Sequence, residues 1–242
     1  MPDSLPPYAR AALLLDLDGT LLDMAPTPTS VVVPPGLTEA LRVIRRQLGD
    51  ALAIVTGRSV EVIDSLLGDV PFAVAGEHGG ALRGSPGAKI QRPELKAPPR
   101  EWIDRGAALE AAWPGTMLEQ KARGFGLHFR LAPDSGPEIE AVLSGLLAGN
   151  EDFELMPGQM LWEVRPRGVN KGSAVVELMR REPFAGRVPV FIGDDFTDEA
   201  GMRVAREMGG AGLRVQEVFG DAAGVRAWLR LTAAIGDWGA IG

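Results

Sequence analysis

The chain has 242 residues, enough for one large domain or two small ones, and its 45% hydrophobic and 24% charged residues describe a folded globular protein rather than a disordered one. Acidic side chains number 32 against 25 basic ones, and the net charge of −7 argues against a partner with the charge of nucleic acid or an anionic membrane. With no cysteine and two histidines, His78 and His128, the chain cannot carry a disulfide framework, a thiolate zinc site, an iron–sulfur cluster, a cysteine nucleophile or a multi-histidine metal centre.

No stretch reaches the roughly 18 apolar residues of a membrane helix. The start, MPDSLPPYAR, lacks the basic-then-apolar layout of a secretion signal. The expected setting is the cytoplasm, and a monomer is expected.

Four apolar runs bounded by Gly or Asp, at 11–15 (AALLL), 51–55 (ALAIV), 72–75 (FAVA) and 188–192 (VPVFI), predict strands buried on both faces, as in a parallel sheet. Helical periodicity separates them. Over 36–48, Leu37, Leu41, Ile44 and Leu48 share one face; 59–67 starts at Ser59, a candidate N-cap; 172–180 and 198–208 read the same way. The alternation predicts an α/β fold, a doubly wound Rossmann-like parallel-sheet core built from residues 1–88 and 168–242.

Between 89 and 167 the pattern changes. A proline-bearing stretch at 93–99 leads to a helix-like segment (100–113), two strand-like runs (116–122 and 124–131), a second helix (135–148) and two more strand-like runs (152–156 and 160–165). Paired strands around helices predict an inserted α+β cap domain. Alternation puts Glu119 and Lys121 on one face of their run. In 124–131 it sets His128 and Arg130 opposite Phe125, Leu127, Phe129 and Leu131, and in 160–165 Glu163 and Arg165 opposite Trp162 and Val164. Such a mixed-charge face is ordinarily a solvated one. The other reading is a sheet over an active site that uses mixed donors and acceptors on sugar hydroxyls.

The sharpest chemical signal is Asp16-Leu17-Asp18-Gly19-Thr20, directly after the first run. A strand ending in carboxylates delivers them to the carboxyl edge of a parallel sheet, where open α/β folds bind ligands. Thr56-Gly57-Arg58-Ser59 adds a hydroxyl near a helix start whose amides favour anions. Asn170-Lys171-Gly172-Ser173 sets an ammonium at another helix start, where acidic groups are the rule, so an anion is expected beside it. Gly193-Asp194-Asp195-Phe196-Thr197-Asp198-Glu199 crowds four carboxylates after the last run. Capping and dipole compensation account for Asp198 and Glu199, but not for Asp194 and Asp195. Asp16, Asp18 and Asp194 make a hard-oxygen set suited to Mg²⁺.

Strand ends supplying Asp/Asp, Thr, Lys and Asp/Asp in this order resemble the four motifs of the haloacid dehalogenase superfamily of phosphatases. The resemblance implies that Asp16 attacks phosphorus to give an aspartyl-phosphate, that Asp18 protonates the leaving oxygen and then activates water, and that Thr56 and Lys171 grip the phosphoryl oxygens. It implies Mg²⁺ held by the Asp16 carboxylate, the Asp18 backbone carbonyl and Asp194. Gly57, Asp195 and Asp198 support the site, the two aspartates orienting metal-bound water or Lys171. For Asp18 to donate a proton near neutrality, neighbouring carboxylates and partial burial have to favour its neutral form.

Over nearly the entire chain the strings LLLDLDGTLL, IVTGRS, VAGEHGG, LEQKARGFGLHFR, LWEVRPRGVNKG and VFIGDDFTDEAG are similar, in order, to the trehalose-6-phosphate phosphatases. This likeness implies a Mg²⁺-dependent release of trehalose and inorganic phosphate from trehalose 6-phosphate, with a small-molecule sugar phosphate as the partner. It implies that Glu119, Lys121, His128, Arg130 and Glu163 of the insert, with Arg58 and His78 of the core, contact the sugar or its phosphate. Gln120, Ala122 and Gly124 depart from the family's commoner pattern. Two other readings stay open: the same chemistry on sucrose phosphate, mannosyl-phosphoglycerate or a related glycosyl compound, and a non-catalytic sugar-phosphate sensor. Arg58 has a structural alternative, a pair with Glu61. Closure of the insert about hinges near 88–93 and 166–169 is expected.

Overall fold

The computed structural model describes residues 4–25, 30–92, 96–121 and 123–240; the strand end at 122 and the hinge position 93 lie outside them. The chain divides into two compact units, Met1–Pro93 with Val169–Gly242, and Glu94–Gly168. Residues 89–92, read from the sequence as the start of the insert, group with the larger unit. There Gln91 exchanges backbone hydrogen bonds of 2.7 and 2.8 Å with Leu82.

The larger unit opens with β1 (Ala11–Leu15), α1 (Leu37–Gln47), β2 (Leu52–Val55), α2 (Val60–Leu67), β3 (Ala73–Gly76) and β4 (Ala81–Arg83). The smaller unit holds α3 (Arg100–Ala112), β5 (Met117–Lys121), β6 (Gly124–His128), α4 (Gly136–Leu147), β7 (Phe153–Gly158) and β8 (Leu161–Pro166). The larger unit resumes with α5 (Lys171–Met179), β9 (Val188–Gly193), α6 (Glu199–Glu207), β10 (Ala211–Arg214), α7 (Val215–Val218) and α8 (Ala222–Ile235).

Its sheet has the order β10-β9-β1-β2-β3-β4, parallel except where β4 runs back along β3. Every residue of β1, β2 and β3 is buried, which is why they read as unbroken apolar runs. Leu15 pairs with Ile54 on one side and Ile192 on the other. The residues that follow these three strands therefore leave the sheet at one edge. The helices carry the expected terminal chemistry. Ser59 Oγ accepts from Val62 N at 3.4 Å to cap α2, and Asn170 and Ser173 form a reciprocal capping box at the start of α5. Glu39 in the first turn of α1 and Arg45 and Arg46 in its last complement the helix dipole.

The smaller unit is an antiparallel sheet of order β5-β6-β8-β7 with its own core of Trp102, Leu109, Phe125, Leu127, Ile139, Leu143, Phe153 and Val164. Strand β6 is shorter than its apolar alternation predicts. A turn, closed by Ala132 N donating to Phe129 O at 3.0 Å, follows His128. Arg130 consequently stands exposed in a turn instead of sharing a strand face with His128, and Leu131 is 83% exposed instead of packed. No helix among the described residues is long and apolar enough to cross a membrane.

Candidate active site

Asp16 N donates to Ile192 O at 2.9 Å, extending the β1–β9 pairing one residue and fixing the side chain at the sheet edge. The side chain is 5% exposed. Its Oδ1 accepts from Lys171 Nζ at 2.7 Å, and its Oδ2 from Thr20 Oγ1 at 3.2 Å. Lys171, the first residue of α5, also donates to Asp198 Oδ1 at 2.6 Å. The anions expected beside this lysine are thus present as two buried carboxylates.

The loop after β9 is organised by its own acids. Asp198 Oδ2 accepts from the backbone N–H groups of Asp194 and Asp195, each at 3.2 Å. Asp195 Oδ1 accepts from Thr197 N and Thr197 Oγ1, each at 2.7 Å, and from Asp198 N at 3.3 Å. The Thr20 hydroxyl reaches Asp194 Oδ1 at 3.4 Å and so links the segments that follow β1 and β9. Gly19 permits this approach. Its φ is +78°, and a Cβ there would lie 2.2 Å from Asp194 Oδ2.

Burial and like charge act on these groups together. Burial first, then Asp16 and Asp195, push the Asp194 carboxyl up to about 7. Burial and Asp16 push Asp198 up to about 8, and burial raises Asp16 against the pull of Lys171. For Asp195 burial works upward, but Lys171 and the hydrogen bonds from Thr197 and Asp198 hold it below the usual carboxylate range. Burial alone would lower Lys171; the charges of Asp16, Asp198 and Asp195 outweigh it and hold the ammonium above the usual lysine range.

Carboxylate oxygens of Asp16, Asp194 and Asp198 lie within 4.8 Å of one another. An all-oxygen set of this kind can hold a hard divalent cation, and a cation relieves the repulsion that raises Asp194. Asp198 accepts on both oxygens from N–H donors and Asp16 on both from Lys171 and Thr20, while Asp194 Oδ1 accepts from the Thr20 hydroxyl at 3.4 Å. The Asp18 carboxylate takes Arg58 Nε on Oδ2 at 2.6 Å and Arg58 Nη2 on Oδ1 at 2.8 Å. Arg58 thus pairs with Asp18 rather than with Glu61.

Thr56 follows β2 and is buried. Its Oγ1 accepts from Arg58 N at 3.3 Å, and its carbonyl accepts from His78 N at 2.9 Å. Glu77 N donates to Arg58 O at 2.9 Å. The turn Glu77–Gly79 thereby straps the Thr56–Arg58 loop from outside. Glu77 and His78 both have φ of 54°, left-handed conformations that non-glycine residues seldom adopt. The His78 ring lies against bare Gly57, where a Cβ would sit 2.5 Å from Nε2.

In the smaller unit, Glu119, Gly126 and Glu163 are register partners across β5, β6 and β8. Lys121 Nζ donates to Glu163 Oε1 at 2.8 Å, Glu119 Oε2 and His128 Nε2 are 2.8 Å apart, and Arg165 Nε donates to Glu154 Oε1 at 2.9 Å. The mixed charges on this face are therefore matched in pairs, with Arg130 outside them.

Two residues escaped the sequence reading. Thr20 bridges Asp16 and Asp194, and its place in the DLDGT string was the available signal. Arg214, at the end of β10, donates to Asp194 O at 3.0 Å and pairs with Glu199. Nothing local marks it, because its partner lies 20 positions earlier.

The trehalose-phosphatase family matches residues 14–226 of this chain. A Sinorhizobium fredii protein named "Probable trehalose-phosphate phosphatase" is 40% identical over 84% of this chain and 77% of its own length. The trehalose-6-phosphate phosphatase of Escherichia coli is 34% identical over 86% of this chain and 78% of its own length. The C-terminal domain of a C. albicans trehalose-6-phosphate phosphatase shares the fold, with a TM-score of 0.81 over 94% of this chain and 93% of that one at 21% identity. A match that begins within β1 and ends within α8, with relatives aligned over three quarters of their length, makes this chain a member of the trehalose-phosphatase family of phosphoric monoester hydrolases.

Proposed function

We propose that this chain hydrolyses trehalose 6-phosphate to trehalose and inorganic phosphate, with Asp16 as the nucleophile. The observation that carries the reading is the buried Asp16 carboxylate, held at 2.7 Å by Lys171 and set beside Asp194, in a chain of this family. One Asp16 oxygen forms a bond to phosphorus as the bond from phosphorus to the sugar oxygen breaks, leaving an acyl phosphate. Asp18 gives its proton to the departing sugar oxygen. It then takes a proton from the water whose attack releases inorganic phosphate and restores Asp16.

Thr56 and Lys171 hold the phosphoryl oxygens, and Asp195 and Asp198 keep Lys171 and the loop after β9 in place. Asp16, Asp194 and the Asp18 backbone carbonyl would hold Mg²⁺, which when bound neutralises charge on the phosphoryl oxygens. Phosphoryl transfer depends mainly on positioning and charge neutralisation. A dianion approaching Asp16, Asp194, Asp195 and Asp198 in a chain of net charge −7 is repelled without such cations.

The same reading divides the labour. Residues 1–88 and 168–242 carry the chemistry, and 89–167 read the sugar. Glu119, Lys121, His128, Arg130 and Glu163 are assigned to the glucose hydroxyls, with Arg58 and His78 contributing from the catalytic part. The mixed donors and acceptors around the Glu119–Gly126–Glu163 row favour polyhydroxyl recognition over a second phosphate, which calls for a basic face. The enzyme is taken to act as a cytoplasmic monomer without nucleic-acid or membrane partners, which size-exclusion chromatography with light scattering of purified protein and cell fractionation test.

Phosphate release from a panel of trehalose 6-phosphate, sucrose 6-phosphate and glucose 6-phosphate, with and without chelator, tests the function. Preference for trehalose 6-phosphate and arrest by chelator are expected. Equal rates on glucose 6-phosphate would remove the disaccharide assignment, full activity in chelator the metal, and silence on every substrate the phosphatase itself.

A further inference from the structure

We infer that Arg58 is a latch on Asp18, closed in the free protein and opened by the phosphoryl group of the incoming substrate. The inference rests on the proposed reaction and concerns the order in which its groups become available. Three observations carry it. The pair is bidentate, with Nε to Oδ2 at 2.6 Å and Nη2 to Oδ1 at 2.8 Å, so both Asp18 oxygens are engaged. It is largely sheltered, the Arg58 side chain being 15% and the Asp18 side chain 30% exposed. The Arg58 backbone is fastened on both sides, its N–H to Thr56 Oγ1 at 3.3 Å and its carbonyl to Glu77 N at 2.9 Å. The guanidinium thus belongs to the same short loop as the hydroxyl assigned to the phosphoryl oxygens.

A guanidinium fork matches phosphate as well as it matches carboxylate, and a phosphoryl dianion offers it more charge than Asp18 does. A phosphoryl group arriving at Thr56 therefore competes directly for Arg58. While the latch is closed, Asp18 is turned to Arg58, and its charge is covered against the approaching dianion. Once the fork transfers to the phosphoryl group, both Asp18 oxygens are released beside the bond that has to break. Arg58 in this scheme is a positioning residue for Asp18 as well as a contact of the substrate.

The test is a double-mutant cycle read by calorimetric titration of inorganic phosphate in the presence of Mg²⁺, using wild type, Asp18→Asn, Arg58→Gln and the double variant. Asp18→Asn removes the carboxylate charge from the fork and is expected to tighten phosphate binding about tenfold, a gain that disappears in the Arg58→Gln background. A gain of equal size in both backgrounds reports only the removal of a nearby negative charge and overturns the latch; so does the absence of any gain. Arg58→Lys keeps the charge without the fork, and in that background the Asp18→Asn gain is expected to fall to about threefold or less. In turnover, Arg58→Gln is expected to lower kcat as well as raise KM, whereas a raised KM with kcat unchanged would overturn the positioning role. The phosphate titrations involve no sugar and no turnover, so they fail or succeed independently of the substrate panel that tests the reaction.

Discussion

The Lys171 ammonium lies 2.7 Å from the Asp16 carboxylate, joining groups 155 positions apart whose side chains are 3% and 5% exposed. A buried pair of this kind gains little net stability from its own formation, because desolvation offsets the attraction. Removing one partner is costly. Lys171→Met leaves Asp16 and Asp198 buried without their cation and is expected to lower stability by about 3–5 kcal/mol, read by urea unfolding. Lys171→Met with Asp198→Asn should recover part of that loss, since one buried charge is then gone.

Asp16→Asn removes the attacking oxygen without changing the shape of the strand end. It is expected to cut turnover of trehalose 6-phosphate by at least about 10³-fold. Mass spectrometry of acid-quenched wild type should show the chain carrying one phosphoryl group, and the Asn variant none. A variant that keeps normal turnover would remove Asp16 from its role.

The elevated Asp194 carboxyl makes stability depend on pH and metal. Its folded value of about 7 lies above the 3.8 of an unperturbed group. Its neutral form favours the fold, so this contribution is complete below about 3.8 and is lost as pH rises through about 7. Metal-free wild type should lose thermal stability across that window more steeply than Asp194→Asn. Mg²⁺ requires the ionised carboxylate, so it should raise the wild-type melting temperature more at about pH 8 than at about pH 5.5.

Gly57 sets the spacing between the Thr56–Arg58 loop and the Glu77–Gly79 strap. A Cβ placed 2.5 Å from His78 Nε2 forces one of them to move. Gly57→Ala is expected to cost about 1–3 kcal/mol in thermal unfolding and to raise KM for trehalose 6-phosphate several-fold. In a His78→Ala background the same change should cost far less stability, because the ring that it displaces is absent.

The strands nearest the chemistry were legible because burial on both faces writes itself as an unbroken apolar run, as in Leu13-Leu14-Leu15 and Val190-Phe191-Ile192. A strand end locates whatever follows it, so Asp16, Thr56 and Asp194 could be read at one edge from one dimension. Asp18 could not be read that way. It lies past the ladder, where alternation no longer governs direction, and its carboxylate went to Arg58 while Asp198 joined the acidic cluster. Strand β6 erred in the opposite sense. Phe129 still donates to Met160 O at 2.9 Å and packs on the core of its unit, but Leu131 falls in the turn that follows, which obeys backbone hydrogen bonds rather than hydropathy. Strands β4 and β10, with three and four residues, are too short to carry a period.

The position of β1 in the sheet, with β2 on one side and β9 on the other, has a consequence for the order of synthesis. As the chain leaves the ribosome, β1 can pair with β2 early, but its other edge stays open until Val188–Gly193 emerges. By then the contiguous unit Glu94–Gly168 has been made in full. An open strand edge is the part of a nascent chain most prone to wrong pairing, so the interval before β9 arrives is the vulnerable one. Lys171, Asp194 and Asp198 are translated after Glu94–Gly168, so the nucleophile, made before that unit, waits for its companions until the unit is complete.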